Sequence, residues 1–168
     1  MCWLNRAESD FKSIPLVYHG WLTSKECMSI ACENAGYTFV VEVLEHGICS
    51  THESQYFVRK VLIRVNNIAS LYAVTEAPMK TYWQYQDIFD DLGNNPIGAS
   101  LLFKPEVVKQ PSKYKKIVFG DSAFGRDLIK YNPNKEVLFA RKDVFDIKTF
   151  PLSLIQIPLP NILLYPGD

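Results

Sequence analysis

Apolar and polar positions alternate with a period of two through YTFVVEVLEHGI, residues 37–48, where Tyr37, Phe39, Val41 and Val43 share one face. The same alternation runs through QYFVRKVLIRV, residues 55–65. A period of two is the mark of a half-buried strand. Asn66 and Asn67 supply turn chemistry before a third apolar run, SLYAVTEA, which predicts a hairpin closed by Pro78. An antiparallel meander follows from these three runs. YKKIVFG, VLFARKDVFDI and LSLIQIPL read as later strands.

Elsewhere the period is helical. TSKECMSIACENAG, residues 23–36, offers a capping box in Thr23 and Glu26, apolar Met28, Ala31, Cys32 and Ala35, and Gly36 as a stop. TYWQYQDIFDDLG, residues 81–93, repeats the arrangement: Thr81 with Gln84, a stripe at Tyr85, Ile88, Phe89 and Leu92, then Gly93. In NNPIGASLLF, Asn95 reads as a cap and Pro96 as the first helical residue. That leaves the N–H groups of Ile97 and Gly98 without acceptors inside the helix, an end suited to an anion or a hydroxyl. The turn-rich DSAFGRDLIKYNPNKE, residues 121–136, reads as an exposed excursion. No internal repeat appears.

The chain has 168 residues, 48% of them hydrophobic, enough to bury about two thirds of its unfolded surface in one core. A single domain over residues 1–168 is expected, and a monomer. Eighteen basic residues balance eighteen acidic ones, so no overall field draws the chain to nucleic acid or to an anionic membrane. Any charged site must be local. Cys2, Cys27, Cys32 and Cys49 lack the spacings of a disulfide framework, and no leader-like or membrane-spanning run is present. These features predict a reduced, cytoplasmic protein with no nucleic-acid partner and no membrane span.

Arg59 carries the most information. Alternation places it with Phe57, Val61, Ile63 and Val65, whereas Lys60 and Arg64 fall on the other face. An inward guanidinium demands a partner, either a protein carboxylate or the carboxylate of a ligand. Gln156 is inward too, in register with Leu152 and Leu154, and is either a satisfied core amide or a partner for a ligand hydroxyl. Arg141 alternates with Phe139 and Phe145 and reads as half of an ion pair or as a second carboxylate partner. His46, Cys49, His52 and Glu53 form a compact run but complete no recognised metal spacing, and solvated loop residues are the simpler reading. The aromatic stripe over residues 83–89 reads as core. Phosphate-loop, dinucleotide, nucleophile-elbow and zinc-protease motifs are absent from the sequence.

ESQYFVRKVLI, NNPIGASLLF, RKDVF and PLSLIQIPLPNILLY, with CMSIACENAGYTF before them, resemble the chorismate pyruvate-lyase family in order and spacing. The resemblance covers most of the chain and is broken mainly around residues 120–136. It implies an α+β fold, a single antiparallel sheet of about six strands with helices packed on it. It also implies conversion of chorismate to 4-hydroxybenzoate and pyruvate in ubiquinone biosynthesis, with no metal and no cofactor. The family's carboxylate-holding arginine falls on Arg59, and its ligand-contacting backbone groups fall on Met28 and Ile97. The glutamate that meets the product hydroxyl falls on Gln156, and an arginine of the third strand falls on Val74. Arg59 and Gln156 are thus the catalytic candidates, with Met28 and Ile97 completing a substrate pocket. The fold is also similar to the effector-sensing domains of GntR-type regulators, which makes a non-catalytic binder of aromatic carboxylates the second expectation.

Overall fold

Asn66 and Asn67 both have positive φ, 51° and 64°, the combination that a two-residue type I′ turn requires and that asparagine tolerates. They join two eleven-residue strands, Gln55–Val65 and Ile68–Pro78, with Val65 opposite Ile68. Around this hairpin the computed structural model describes residues 3–5, 9–25, 28–102, 104–118, 120 and 124–164. In chain order the elements are β1 (Leu4–Asn5), α1 (Leu16–Thr23), α2 (Met28–Asn34), β2 (Phe39–Ser50), β3 (Gln55–Val65) and β4 (Ile68–Pro78). They continue with α3 (Met79–Gln84), α4 (Gln86–Asp90), β5 (Val107–Lys109), β6 (Lys113–Ile117), α5 (Gly125–Ile129), β7 (Leu138–Ile147) and β8 (Phe150–Pro158). A wide helical turn occupies Gly98–Leu102.

The architecture is α+β. One antiparallel sheet runs in the order β1-β6-β7-β8-β4-β3-β2, and β5 adds to β7. β1 and β5 have two and three residues, so the longer strands are the six expected from the pattern. The face carrying Arg59 is covered by helices in two clusters. Tyr18, Trp21 and Leu22 of α1 and Met28 and Cys32 of α2 pack on Val41, Ile63, Val65 and Leu71. Tyr82, Phe89, Ile97 and Leu101 pack on Phe57, Ala73, Phe145 and Leu154. Each large apolar side chain so buried contributes about 1.5–3 kcal/mol.

The opposite face is apolar as well, which corrects the half-buried reading of the central strands. Val58, Leu62, Tyr72, Val74, Ile155 and Ile157 need a cover, and the segment expected to be an exposed excursion supplies it. Leu128 of α5 is buried among them, and Asp127 Oδ2 accepts from Tyr72 Oη at 2.8 Å and from Lys60 Nζ at 3.0 Å. Residues 121–123 of that segment lie outside the described residues.

The helix starts also differ from expectation. Thr23 closes α1 instead of capping its successor: its Oγ1 donates back to His19 O at 2.7 Å. Glu26, its expected capping partner, lies outside the described residues, as do Cys2 and Cys27. Thr81 sits inside α3, which begins after Pro78, and its hydroxyl donates to Pro151 O at 2.9 Å. A carbonyl four residues back in the same helix has won over the capping box at Thr23, and a long-range acceptor has won at Thr81. Gly36 does stop α2, with positive φ and the Tyr37 N–H on Cys32 O at 3.0 Å. Trp83 is 63% exposed, so the 83–89 stripe is core at Phe89 but not at its start.

Candidate functional site

Two β-bulges decide what surrounds Arg59. Down from Phe39↔Val65 the β2–β3 ladder is regular to Val43↔Val61, but the next pair is Glu45↔Lys60, which leaves Leu44 as the extra residue. Without that bulge Glu45 would lie opposite Arg59. With it, His46 does, and Glu45 turns to the far face, where its carboxylate pairs with Lys60 at 2.8 Å. On the other flank the ladder slips between Arg64↔Ala69 and Ile63↔Leu71, leaving Ser70 unpaired. Unbroken pairing would set Val74 opposite Arg59; the observed partner is Thr75. A one-residue shift exchanges the two faces of a strand. Arg59 is therefore flanked by an imidazole and a hydroxyl instead of by a carboxylate and a valine.

Arg59 is only 3% exposed. Its Nη1 donates to His46 Nδ1 at 3.2 Å, and its Nη2 donates to the carbonyls of Gly93 at 2.8 Å and Asn95 at 3.2 Å. Gly93, at φ 49°, makes the left-handed turn that aims its carbonyl inward. No carboxylate pairs with the guanidinium among the described residues. Burial without a counter-charge lowers the Arg59 pKa. Burial, followed by the charge of Arg59, likewise lowers the His46 pKa, against the opposing pull of Asp90. The guanidinium thus keeps its full positive charge among neutral partners, an arrangement complementary to an anion.

Beside the guanidinium lies a cavity of about 30 Å³, room for about one water. It sits where the two helix-covered clusters meet. Arg59, Thr75 and Gln156 line it together with Ser29, Pro96, Ile97 and Gly98. α2 packs against the Gly98–Leu102 turn, and Ser29 and Gly98 of these two elements both line the cavity. Asn95 reaches the site through its backbone carbonyl; its side chain, exposed, makes no cap among the described residues.

Gln156 is 2% exposed and is held at both ends. Its Oε1 accepts the Met28 N–H at 2.8 Å, which caps the start of α2, and its Nε2 donates to Asp143 Oδ2 at 3.3 Å. Asp143 in turn accepts from Ser112 at 2.6 Å and pairs with Lys109 at 3.1 Å and Arg141 at 3.0 Å. Arg141, fully buried, donates to the carbonyls of Trp21, Leu22 and Ser24 at the end of α1. One buried network thus ties the end of α1 to the start of α2. The Met28 N–H and Gln156 Oε1, both expected to face a ligand, are bonded to each other. Arg141 is committed to Asp143 and to backbone, and it does not line the cavity.

No known family model matches this chain. Two relatives at 22% identity are each named a probable chorismate pyruvate-lyase. The one from Nitrosomonas europaea aligns over 164 positions, 89% of this chain and 90% of its own length. The one from Aromatoleum aromaticum aligns over 177, 98% and 95%. Among solved structures, the effector domain of PhnF from Mycobacterium smegmatis matches with a TM-score of 0.57 at 9% identity, over 82% of this chain and 91% of that domain. The C-terminal domain of the histidine utilization repressor from Pseudomonas syringae pv. tomato matches at 0.51 and 9%, over 74% and 93%. Against a longer PhnF chain, this protein spans 65% of the length. The fold is that of these effector domains.

Of the other candidates, Val74 lies in the far-face cluster, so a charge at that position has no line to the cavity. His46 and Cys49 belong to β2 rather than to a loop, on opposite faces, with Cys49 Sγ 3.2 Å from Glu45 Oε1; His52 and Glu53 are exposed beyond them. Sequence reasoning missed Thr75 and Ser29, two buried hydroxyl-bearing residues that line the cavity. Neither bulge had a glycine or proline to announce it.

Proposed function

We propose that the Arg59 cavity binds a small aromatic carboxylate and that the chain, as one domain, is a chorismate pyruvate-lyase-like enzyme with weakened or altered activity. The observation that carries this reading is the buried guanidinium with no protein carboxylate to neutralise it. The names of the two relatives and the order of the site residues along the chain support it. Arg59 holds the ring carboxylate, Thr75 and Ser29 offer hydroxyls, and Ile97 and Leu154 contact the ring. A ring does not fit in about 30 Å³, so α2 and the Gly98–Leu102 turn part to admit it.

For chorismate, the C4–H bond breaks and its electrons become a ring double bond as the C3–O bond breaks. The enolpyruvyl oxygen keeps that bonding pair and becomes the carbonyl oxygen of pyruvate, as the proton released from C4 passes to the methylene carbon of the departing group. The gain of aromaticity drives the step. No Asp, Glu or His is among the lining residues, so the chain's part is to orient the ring by its carboxylate and to exclude water. Gln156, an amide, orients but takes no proton; where the family's glutamate acts as base, its loss costs about 10²- to 10⁴-fold in rate.

The same absence, with the commitment of Gln156 to Met28 and Asp143, favours a second reading in which the pocket binds an aromatic carboxylate without converting it. Incubation with chorismate, with 4-hydroxybenzoate followed by chromatography, separates the two. Product that disappears in Arg59→Ala supports the lyase. No product, but saturable calorimetric binding of 4-hydroxybenzoate that Arg59→Ala abolishes, supports the binder. Neither product nor binding sinks both.

A further inference from the structure

On the far side of the sheet from Arg59, a mostly apolar groove of about 490 Å³ is lined by Tyr56, Glu76, Pro78, Val144, Pro151 and Ser153 among others. It is far larger than the Arg59 cavity and shares no residue with it. Glu76 belongs to β4, a central strand, directly after Thr75; it pairs with Val58 on one side and Ser153 on the other. The strand's alternation therefore sends Thr75 into the anion cavity and Glu76 into the groove.

The Glu76 carboxylate has no cation partner among the described residues; its one polar contact is the Ser153 hydroxyl at 3.5 Å. The neighbouring cations of this face are engaged elsewhere. Lys60 is held by Glu45 at 2.8 Å and Asp127 at 3.0 Å, and Lys142 Nζ lies 5.9 Å from the centre of the Trp3 ring. A half-buried, unneutralised carboxylate in a concave apolar wall, with a phenol ring alongside, is complementary to a positive charge on an apolar body. Burial first, then Cys49 and Glu76, raise the Tyr56 pKa, so this ring stays a neutral phenol and adds no competing charge of its own.

We propose that this groove is a second ligand site, independent of Arg59, for a small organic cation: an amine whose ammonium meets Glu76 and Ser153 and whose body lies on Tyr56, Pro78 and Pro151. Neutral and anionic molecules of the same shape lack the charge that Glu76 selects, and the two sites accept opposite charges on opposite faces of one strand.

Benzylamine, benzyl alcohol and benzoate, titrated separately into the full chain and followed by backbone amide NMR, test the assignment. Benzylamine is expected to shift the amides of Glu76, Ala77 and Ser153 saturably and at least about tenfold more tightly than benzyl alcohol, with benzoate leaving them still. Glu76→Gln should weaken benzylamine about tenfold, and Val144→Trp, which fills the groove without touching the carboxylate, should also block it. An unchanged spectrum away from the groove certifies the fold of each variant. Equal binding of the amine and the alcohol, retention in both variants, or no saturable shift would each overturn the proposal. Self-association of the protein that benzylamine fails to displace would mean that the groove holds a basic side chain of a second copy, and would overturn it as well.

Discussion

His46 and Arg59 face each other across the β2–β3 ladder, and the imidazole accepts the guanidinium's hydrogen bond at Nδ1, 3.2 Å away. Since arginine only donates, Nδ1 carries no proton and the ring is neutral. Protonation of His46 breaks this bond and sets two positive charges side by side. Its pKa is accordingly lowered from the ordinary 6.5, by burial and then by Arg59. A carboxylate on Arg59 removes part of that repulsion and raises the His46 pKa, so binding takes up a proton. The affinity for 4-hydroxybenzoate should therefore rise as pH falls from about 8 to about 5.5, while the ligand remains ionised, and the slope should vanish in His46→Ala. Calorimetry across that range checks it. In the free protein the sign is reversed. A depressed folded pKa means that the stability from His46 is present above about 6.5 and is lost as pH falls through the folded value.

Arg59→Met separates a ligand-binding arginine from a structural one. The substitution forfeits three hydrogen bonds but removes a desolvated charge that has no carboxylate, and replacing such a group by an apolar one of similar length is often close to neutral. Stability in urea should change by less than about 2 kcal/mol, whereas aromatic carboxylate binding should fall about 100-fold or more. A large loss of stability with binding retained would make Arg59 a scaffold residue.

Gln156→Glu introduces a carboxylate into the buried network, and the structure predicts that the fold resists it. One oxygen can still accept the Met28 N–H, but the other replaces a donor 3.3 Å from Asp143 Oδ2 and brings two buried carboxylates together. The introduced carboxyl is then held protonated, with a folded pKa above its unfolded value near 4.3. A raised pKa contributes stability that is present below about 4.3 and is lost as pH rises through the folded value. Denaturant titrations at about pH 5 and about pH 8 should show the variant's deficit growing with pH, by about 2 kcal/mol or more.

Much of this was legible in the alternation. It gave the six longer strands, the inward direction of Arg59, Arg141 and Gln156, and the Asn66–Asn67 turn. It could not give the flanks of Arg59, because each depends on one unpaired residue, Leu44 and Ser70, whose local sequence resembles any regular strand. The partners of Gln156 were hidden for another reason. They lie 13 and 128 residues away along the chain, so only the completed sheet brings them together. The capping boxes misled because Thr23 bonds back to a carbonyl of its own helix, four residues before it, and Thr81 to an acceptor 70 residues away.

The Leu44 bulge leads to the sharpest test of the site. By turning Glu45 away, it denies Arg59 the counter-ion that regular pairing would have provided, and Glu45 pairs with Lys60 instead. His46→Glu puts a carboxylate back at the position opposite Arg59. An internal ion pair then forms at the edge of the cavity, the guanidinium is neutralised, and a ligand carboxylate meets a negative charge instead of a neutral ring. Thermal melting should show the variant at least as stable as the wild type, and calorimetry should show 4-hydroxybenzoate bound at least about tenfold more weakly. Stability retained with affinity lost is the signature of an arginine kept unpaired for its ligand. Affinity retained would mean that the ligand's carboxylate sits elsewhere in the cavity, and the assignment of Arg59 would fall.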